Sequence, residues 1–315
     1  MGDIPTLKIS IIKGLELSNN LIAEWKRIQK NNINLSSPFF CPEFTYAISL
    51  HREDSYIAIL ERENKILGFF PFHKDDLGNG SPIGFGISDY HGIIIGENDK
   101  FNILTLLKDC NIKKWRFDHQ IASQSNFLEF SCKTCDSPTI NLQNGYDQYL
   151  IKQRHQSKVI SKTEKQIRRL EQDFGTISFA LNVNNNIFFK TLFNWKTKHL
   201  QKIGKRHKLN IGWVIETMEY LRKNNSVDFS GMLSVLMVED KPISIEFGIS
   251  SHTTLHGWVS SYDLKFQKYS PGLIMQLRII QNTDKKIIDL GKTMYHYKER
   301  FMNNTNKVLE GFINI

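Results

Sequence analysis

Several titratable residues stand where they could move a proton. His256 lies in TLHGWVSSYD, a stretch that predicts a strand, and Glu246 lies on the predicted strand before it. Imidazoles and carboxylates are common general bases, and histidine titrates near neutral pH. Asp89, in SDYHG, is a third candidate base, with a turn aspartate that only accepts backbone N–H bonds as the alternative. Lys298 and Arg300, in YHYKERF, would add positive charge.

The strand that carries His256 sets an expectation about side-chain direction. Alternate residues of a strand share one face, which here would hold Thr254, His256, Trp258, Ser260 and Tyr262. On that face His256 is a candidate base. A packed strand histidine is the alternative interpretation.

The turn Ser270-Pro271-Gly272 predicts the start of a helix. Serine suits the N-cap and proline the first helical position, and apolar residues then recur at helical spacing through Ile280. KKIIDLG, which follows, predicts a buried strand. Free N–H groups at such a helix start can hold an anion. An ordinary well-capped helix is the alternative.

The overall composition predicts a globular protein that binds an anionic ligand. Of the 315 residues, 40% are hydrophobic, and the net charge is +9. A basic balance favours a nucleotide, coenzyme A, a sugar phosphate or a lipid head group. No signature of an RNA-binding strand is present, so nucleic acid is not an expected partner.

Cysteine usage predicts a reducing compartment, and the short apolar runs predict that no segment spans a membrane. The C-x-x-C of Cys132 and Cys135 lacks a second pair or a histidine pair, so no metal is expected. No apolar run approaches the roughly 20 residues that span a bilayer, and MGDIPTLKIS lacks the apolar core of a signal peptide. We therefore expect a cytoplasmic protein without a transmembrane segment, for which peripheral membrane contact stays open.

Predicted elements repeat in the same order twice along the chain. Each half begins with helices, continues with a hairpin around a polar turn (EREN, then EDKP), and ends with a further strand and a helix. Alternating helices and strands predict an α+β fold in layers. We place the domains at residues 1–145 and 146–315.

A basic amphipathic helix is predicted at residues 155–174, between the halves. Lys162 and Arg168 lie on its charged part, which either faces ligand phosphates or is only solvated. Trp195, in a later predicted helix, could stack on a sugar or a base, although a helix tryptophan is more often a core residue.

The motifs taken together resemble a known family. YSPGL, a helix, DLG and YKERF resemble the C-terminal signature of the cellulose-biosynthesis-type (CelD/BcsL-like) acyltransferases of the GNAT superfamily. SPFFCPEF, GSPIGFGISDYHG and the basic helix are similar to segments of this family and of the FemAB-type peptidyltransferases. The resemblance implies two tandem GNAT-like domains, each a mixed sheet flanked by helices.

For the donor, the resemblance implies an acyl thioester. In GNAT enzymes the turn before this helix binds the pyrophosphate of acyl-CoA, and the matching positions here are Gln267, Ser270 and Gly272. Ser270 replaces a family glycine, and Pro271 lacks an N–H, which weakens the cradle. Acetyl-CoA is the first expectation and acyl carrier protein the second.

For catalysis, the resemblance implies roles for two segments. Asp89 would be a base at the acceptor cleft, and Tyr90 would shape that cleft. Lys298 would stabilise the oxyanion, and Tyr297 would give a proton to the leaving thiolate. His256 would lie on the strand that faces the thioester. Glu246 and Arg300 are further candidates for substrate contact.

We therefore expect an acyl-CoA-dependent N-acyltransferase that acts on an amino sugar or related amine of a cell-envelope or polysaccharide precursor. A nucleotide-linked amino sugar is one form that this acceptor could take. Two other classes stay open. One is a FemAB-like ligase that uses aminoacyl-tRNA, the only case with nucleic acid as partner. The other is a binding module with a degenerate donor site.

Overall fold

The computed structural model describes residues 7–202, residue 204 and residues 211–315. The chain forms two compact units. Unit 1 holds residues 1–136, 213–217 and 307–315, and unit 2 holds residues 137–212 and 218–306. The domain division at residues 145 and 146 stays a prediction.

Among its described residues, unit 1 contains a mixed sheet and three whole α-helices. Its helices are α1 (Asn19–Lys30), α2 (Pro42–Ser49) and α3 (Ile103–Asp109). Its strands are β1 (Lys8–Lys13), β2 (Ser55–Arg62), β3 (Lys65–Lys74), β4 (Asn79–Pro82), β5 (Ile94–Ile95), β6 (Lys114–Ile121) and most of β13 (Asn304–Asn314).

Among the described residues, unit 2 contains more helices than unit 1. Its helices are α4 (Gly145–Gln156), α5 (Val159–Phe174), α6 (Asn186–Lys202), most of α7 (Gly212–Lys223), α8 (Pro271–Asn282) and α9 (His296–Phe301). Its strands are the second half of β7 (Ser131–Asn141), then β8 (Ile177–Ala180), β9 (Phe229–Val238), β10 (Lys241–Ser251), β11 (Thr254–Tyr262) and β12 (Ile287–Asp289).

The sheets of the two units have the same pattern. In unit 1, the antiparallel run β1-β2-β3-β4 is followed by parallel β6 and then antiparallel β13. In unit 2, the run β8-β9-β10-β11 is followed by parallel β12 and then antiparallel β7. The prediction of two α+β domains, each a mixed sheet flanked by helices, is confirmed.

Both predicted hairpins form, with one shift. Glu63 and Asn64 have φ of 51° and 61°, the left-handed conformation that a two-residue hairpin turn needs. In the second hairpin, Lys241 and Pro242 already belong to β10, so the turn is Glu239-Asp240 and not the whole of EDKP. Strand pairing extends that far because a register shift near Pro242 accommodates the proline.

The predicted basic helix of residues 155–174 is two helices. α4 ends at Gln156, Ser157 is extended, and α5 begins at Val159 because the Ser157 hydroxyl accepts from its N–H. On α5, Val159, Thr163, Ile167 and Leu170 are buried, as helical spacing predicts. The helix thus has one packed face and one charged face.

Two further features bear on expectations from the sequence. Cys132 and Cys135 lie on β7 as free thiols, and residues three apart on a strand point to opposite faces. No helix among the described residues is long and apolar enough to cross a membrane.

Candidate active site

Glu246 occupies the middle of unit 2, where β10 pairs with β11. Its cross-strand neighbour is Ser260, and Gly248 pairs with Gly257. A Cβ atom on Gly257 would lie 2.7 Å from Glu246 Oε1, so the missing side chain leaves room for the carboxylate. The Glu246 side chain therefore lies over Gly257, on the face of the sheet that it shares with Ser260.

A β-bulge lies beside this carboxylate. The register of β10 against β11 shifts between Phe247 and Gly248, which leaves Trp258 as the extra residue of β11. Ser260 consequently shares a face with Gly257 and not with His256. The expectation that His256, Trp258, Ser260 and Tyr262 share one face is wrong, because the extra residue breaks the alternation.

Burial raises the pKa of the Glu246 carboxyl to about 7, against the opposing effects of nearby His256 and Lys196. Within the described part of the chain, the Glu246 carboxylate makes no hydrogen bond or ion pair. A half-buried carboxyl that titrates near neutral pH and has an uncommitted oxygen can take a proton from a substrate.

Two basic side chains of α6 line the same region. Lys196 Nζ donates to the Ser260 carbonyl at 3.2 Å, and burial lowers the pKa of Lys196 although Glu246 opposes this. His199 lies one turn further, with Nδ1 3.1 Å from Ser261 Oγ. Burial and the cations Lys196 and Lys202 lower the pKa of His199. The site thus combines a carboxyl, an amine and an imidazole whose pKa values are each shifted towards the neutral form.

His256 belongs to a buried network beneath the site. His256 and Asp289 pair across the parallel strands β11 and β12, with His256 Nδ1 3.2 Å from Asp289 Oδ1. The same oxygen accepts from the Gly291 N–H at 2.6 Å. Because His256 is fully buried, the structure gives it a supporting position, and its role as a base stays a prediction.

Lys298 extends this network to α9. The side chain is buried, and Nζ donates to the carbonyls of Gly291 at 2.9 Å and Lys292 at 3.0 Å. The ammonium therefore ties the loop before α9 to the helix. This arrangement suits a positioning residue, whereas the oxyanion role remains the prediction from resemblance.

Tyr297 lies beside Lys298 at the start of α9. Although 41% of the residue is exposed, packing around its phenol raises the pKa of Tyr297, and the Glu246 carboxylate adds to the effect. Its ring stacks on Tyr295 at 6.4 Å between centroids. A protonated phenol near Glu246 can act as a general acid. Arg300, also on α9, contacts His296 with its guanidinium.

The turn before α8 has the expected helix start. Ser270 is the N-cap in the left-handed conformation, with φ of 55°, which is the conformation that a glycine adopts freely. Ser270 N–H donates to the Gln267 carbonyl at 3.1 Å, and Gln267 is exposed. Gly272 is exposed, and a Cβ there would meet no atom within 4 Å. The Cβ side of Gly272 thus faces open space in the first turn of the helix.

The remaining predicted residues are placed in both units. In unit 1, Asp89 is half-buried with Oδ1 3.5 Å from His119 Nε2, and Tyr90 is buried against Phe40. In unit 2, Lys162 and Arg168 are exposed on α5, and Trp195 is half-buried on α6. Unit 2 brings together Glu246, His256 and Tyr297, with Lys298 supporting them.

Sequence reasoning missed Lys196, the half-buried neighbour of Trp195. A signal was available, because Phe189, Leu192, Lys196 and His199 follow one another at helical spacing on α6. The first two are buried apolar residues. A lysine and a histidine that continue an apolar stripe point to a polar pocket at that end of the helix.

A family comparison covers the segment that holds this site. Residues 157–299 match a GNAT acetyltransferase domain. Glu246, Tyr297 and Lys298 all lie within the GNAT-matching segment. No curated protein matches the chain.

Solved structures support the same fold. FemX superposes with a TM-score of 0.62 at 10% identity, over 97% of this chain and 96% of that one. A tandem GNAT protein from the clavulanic acid biosynthesis pathway gives 0.53 at 4% identity, over 98% and 97%. The C-terminal domain of an Agrobacterium fabrum protein, provisionally described as a lysylphosphatidylglycerol synthetase, gives 0.56 at 8% identity, over 91% and 90%. At these identities the likeness shows a tandem GNAT-like fold and no particular substrate.

Proposed function

We propose that the protein is a cytoplasmic N-acyltransferase that moves an acyl group from acyl-CoA to an amine. The observation that carries the proposal is the Glu246 carboxyl, with a pKa near 7, inside the GNAT-matching segment. Acyl transfer to an amine needs a base for the ammonium proton, and a base that titrates near the working pH is the most effective.

The residues of unit 2 supply the other requirements of this reaction. Glu246 takes the proton as the acceptor amine attacks the thioester carbonyl. Tyr297, whose raised pKa keeps its phenol protonated, gives a proton to the departing thiolate. Lys196 places a half-buried amino group near Glu246, where it orients an acidic or hydroxyl-rich acceptor.

The turn before α8 fits the phosphates of the donor in part. Gly272 is exposed with open space on its Cβ side, whereas the Ser270 N–H is already bonded and Pro271 has none. The exposed first turn of the helix and its dipole favour an anion here. Gln267 lies exposed at the same turn and adds a side-chain amide. Bound there, acyl-CoA supplies the activated thioester.

For the acceptor, we propose an amino sugar of a cell-envelope or polysaccharide precursor. This assignment rests on the resemblance to CelD/BcsL-like acyltransferases. The exposed cations on α5 favour an acceptor with phosphates, such as a nucleotide sugar. Acyl carrier protein is the second candidate donor.

A FemAB-like aminoacyl transfer is the second candidate function, and the FemX likeness over nearly the whole of both chains favours it. A direct assay separates the two. The protein is incubated with acetyl-CoA and longer acyl-CoAs, or with aminoacyl-tRNA, against a panel of nucleotide amino sugars, and products are read by mass spectrometry. N-acylated sugar with release of free thiol supports the first proposal, and transfer from aminoacyl-tRNA alone replaces it.

Gly272→Asp tests the donor site. A carboxylate in the open space beside Gly272 would repel the donor phosphates, so the KM for acyl-CoA should rise at least tenfold with little change in stability. Calorimetry with CoA gives the affinity directly. The matched variant Gly212→Asp, where a Cβ also meets no atom within 4 Å, should leave affinity unchanged. Equal CoA binding in Gly272→Asp and the wild type rules out this turn.

Charge reversal on α5 tests the acceptor phosphates. Lys162→Glu and Arg168→Glu should each be well folded because both side chains are exposed. Reversing the charge of a residue that contacts the acceptor should raise the KM for the acceptor about three- to tenfold. This effect should weaken as salt is added. An acceptor without phosphate serves as the control. If neither variant changes either KM, the charged face of α5 is only solvated.

A further inference from the structure

A second cluster of metal-ligating groups lies in unit 1. His91 follows the turn that carries Asp89, and Asp118 and His119 are consecutive residues of β6. His91, Asp118 and His119 each offer one ligand atom, and the three atoms lie within 4.8 Å of one another. The histidines are 28 residues apart, so no spacing motif predicts this cluster.

Backbone hydrogen bonds hold His91 against β6. The His91 N–H donates to the His119 carbonyl at 2.8 Å, and the Ile121 N–H donates to the His91 carbonyl at 2.9 Å. The two bonds form an isolated parallel bridge beside the strand that carries Asp118 and His119. Strand geometry therefore fixes the relative positions of the three side chains.

The surroundings of His91 determine which ring nitrogen carries the proton. Ser88 Oγ lies 2.9 Å from His91 Nε2 and 3.1 Å from the carbonyls of Ile83 and Gly84. A carbonyl only accepts, so the hydroxyl donates to a carbonyl and accepts from the His91 Nε2–H. His91 Nδ1 then carries the lone pair, which accepts from the His119 N–H at 3.4 Å and lies 3.7 Å from Asp118 Oδ1. A metal ion at this nitrogen would replace that weak N–H bond.

His119 is held between two carboxylates. Its Nδ1 lies 2.8 Å from Asp118 Oδ1, and its Nε2 lies 3.5 Å from Asp89 Oδ1. With Nδ1 as ligand, Nε2–H points to Asp89. A carboxylate that accepts from the distal N–H is the usual support of a metal-bound histidine.

We propose that unit 1 binds a divalent transition metal through His91 Nδ1, Asp118 and His119 Nδ1, with Asp89 as the supporting carboxylate. Ligand atoms around a tetrahedral zinc lie about 3.3 Å apart, given bond lengths of about 2.0–2.1 Å. The observed separations of 2.8 and 3.7 Å bracket that value. Two imidazoles and a carboxylate suit zinc and its neighbours in the first row.

The cluster also has an entry path and an open position. The side chains of Asp118 and His119 are 24% and 15% exposed, so an ion can reach them from solvent. Three protein ligands leave a fourth position for water or a ligand. The competing interpretation is a network of His119 with Asp89 and Asp118 that holds no metal ion.

Cobalt titration tests the site. The full chain, in a Cys132→Ser/Cys135→Ser background that removes the accessible thiols, is freed of metal with a chelator and titrated with Co²⁺. We expect visible d–d absorption that saturates at one ion per chain and disappears when Zn²⁺ is added. His119→Gln should weaken Co²⁺ binding at least 100-fold, and Asp89→Asn about 10- to 100-fold. His155→Gln, an exposed histidine on α4, should change nothing.

Other results overturn the site. If no saturable cobalt band appears, or if His119→Gln binds Co²⁺ as tightly as the control variant, the cluster is an ion-pair network only. Circular dichroism checks that each variant is folded, and Asp118→Asn replaces His119→Gln if the latter unfolds. The site lies wholly in unit 1, so its failure would leave the proposed acyl transfer unaffected.

Discussion

Glu246→Gln should reduce turnover by about 10²–10⁴-fold, the usual effect of removing a general base. The amide keeps the shape of the carboxyl beside Gly257 but cannot accept a proton. In the wild type, kcat/KM should rise with pH through about 7, where Glu246 ionises. In the variant this acidic limb should flatten. Steady-state assays from pH 5 to 9 with saturating donor measure both effects.

The same substitution should raise stability at alkaline pH. The folded-state pKa of Glu246 is about 7 against an ordinary 4.5, so the folded protein binds the extra proton between these values. Wild-type stability is therefore highest below pH 4.5 with respect to this group and falls as pH rises through 7. Above pH 7 the glutamine variant should be more stable by up to about 3 kcal/mol. Urea unfolding at pH 5 and pH 8 gives the difference.

Two variants serve as controls for the assignment of the base. His256→Gln should disturb the buried pair with Asp289 and reduce stability, with the acidic limb of the rate profile retained. Asp89→Asn should also retain that limb, since Asp89 is held by His119 in unit 1. If His256→Gln or Asp89→Asn flattens the acidic limb and Glu246→Gln does not, the residue replaced in that variant is the base.

Much of the fold follows from local patterns, and the exceptions have physical causes. Polar turns between alternating strands predicted both hairpins, and Ser270-Pro271 predicted the start of α8. The bulge at Trp258 was beyond prediction, because it depends on the register between two strands and not on either alone. That single residue places Ser260 on the face of Gly257 and Glu246, whereas His256 is fully buried.

Long-range contacts account for the rest of the candidate site. Lys196, on α6, reaches the Ser260 carbonyl on β11, and His91 approaches Asp118 through a bridge to β6. Neither contact has a sequence signature, since the partners are far apart in the chain. Lys298 was recognised by its motif, but its two carbonyl acceptors could not be inferred from the residue type.

Lys298→Met should lower the free energy of unfolding by about 2–4 kcal/mol, because one buried and one partly buried carbonyl lose their donor at a cost of about 1–3 kcal/mol each. Turnover should fall as well, since the loop that Lys298 holds precedes Tyr297. Stability and turnover, measured together, distinguish a positioning role from an oxyanion role. A positioning role predicts lost stability with a partial loss of turnover, whereas an oxyanion role predicts a loss of about 10²–10³-fold in turnover with stability nearly unchanged.

Lys241→Met, at an exposed position of β10, provides the matched control and should change neither quantity. Unfolding in urea gives the stability of each variant, and assays at saturating donor give turnover. The contacts of Nζ with Gly291 and Lys292 favour the first outcome, because an ammonium already engaged with two carbonyls has fewer N–H donors left for a developing oxyanion. Wild-type stability in Lys298→Met would show that these contacts contribute little, and the oxyanion role would then be the better explanation of any lost turnover.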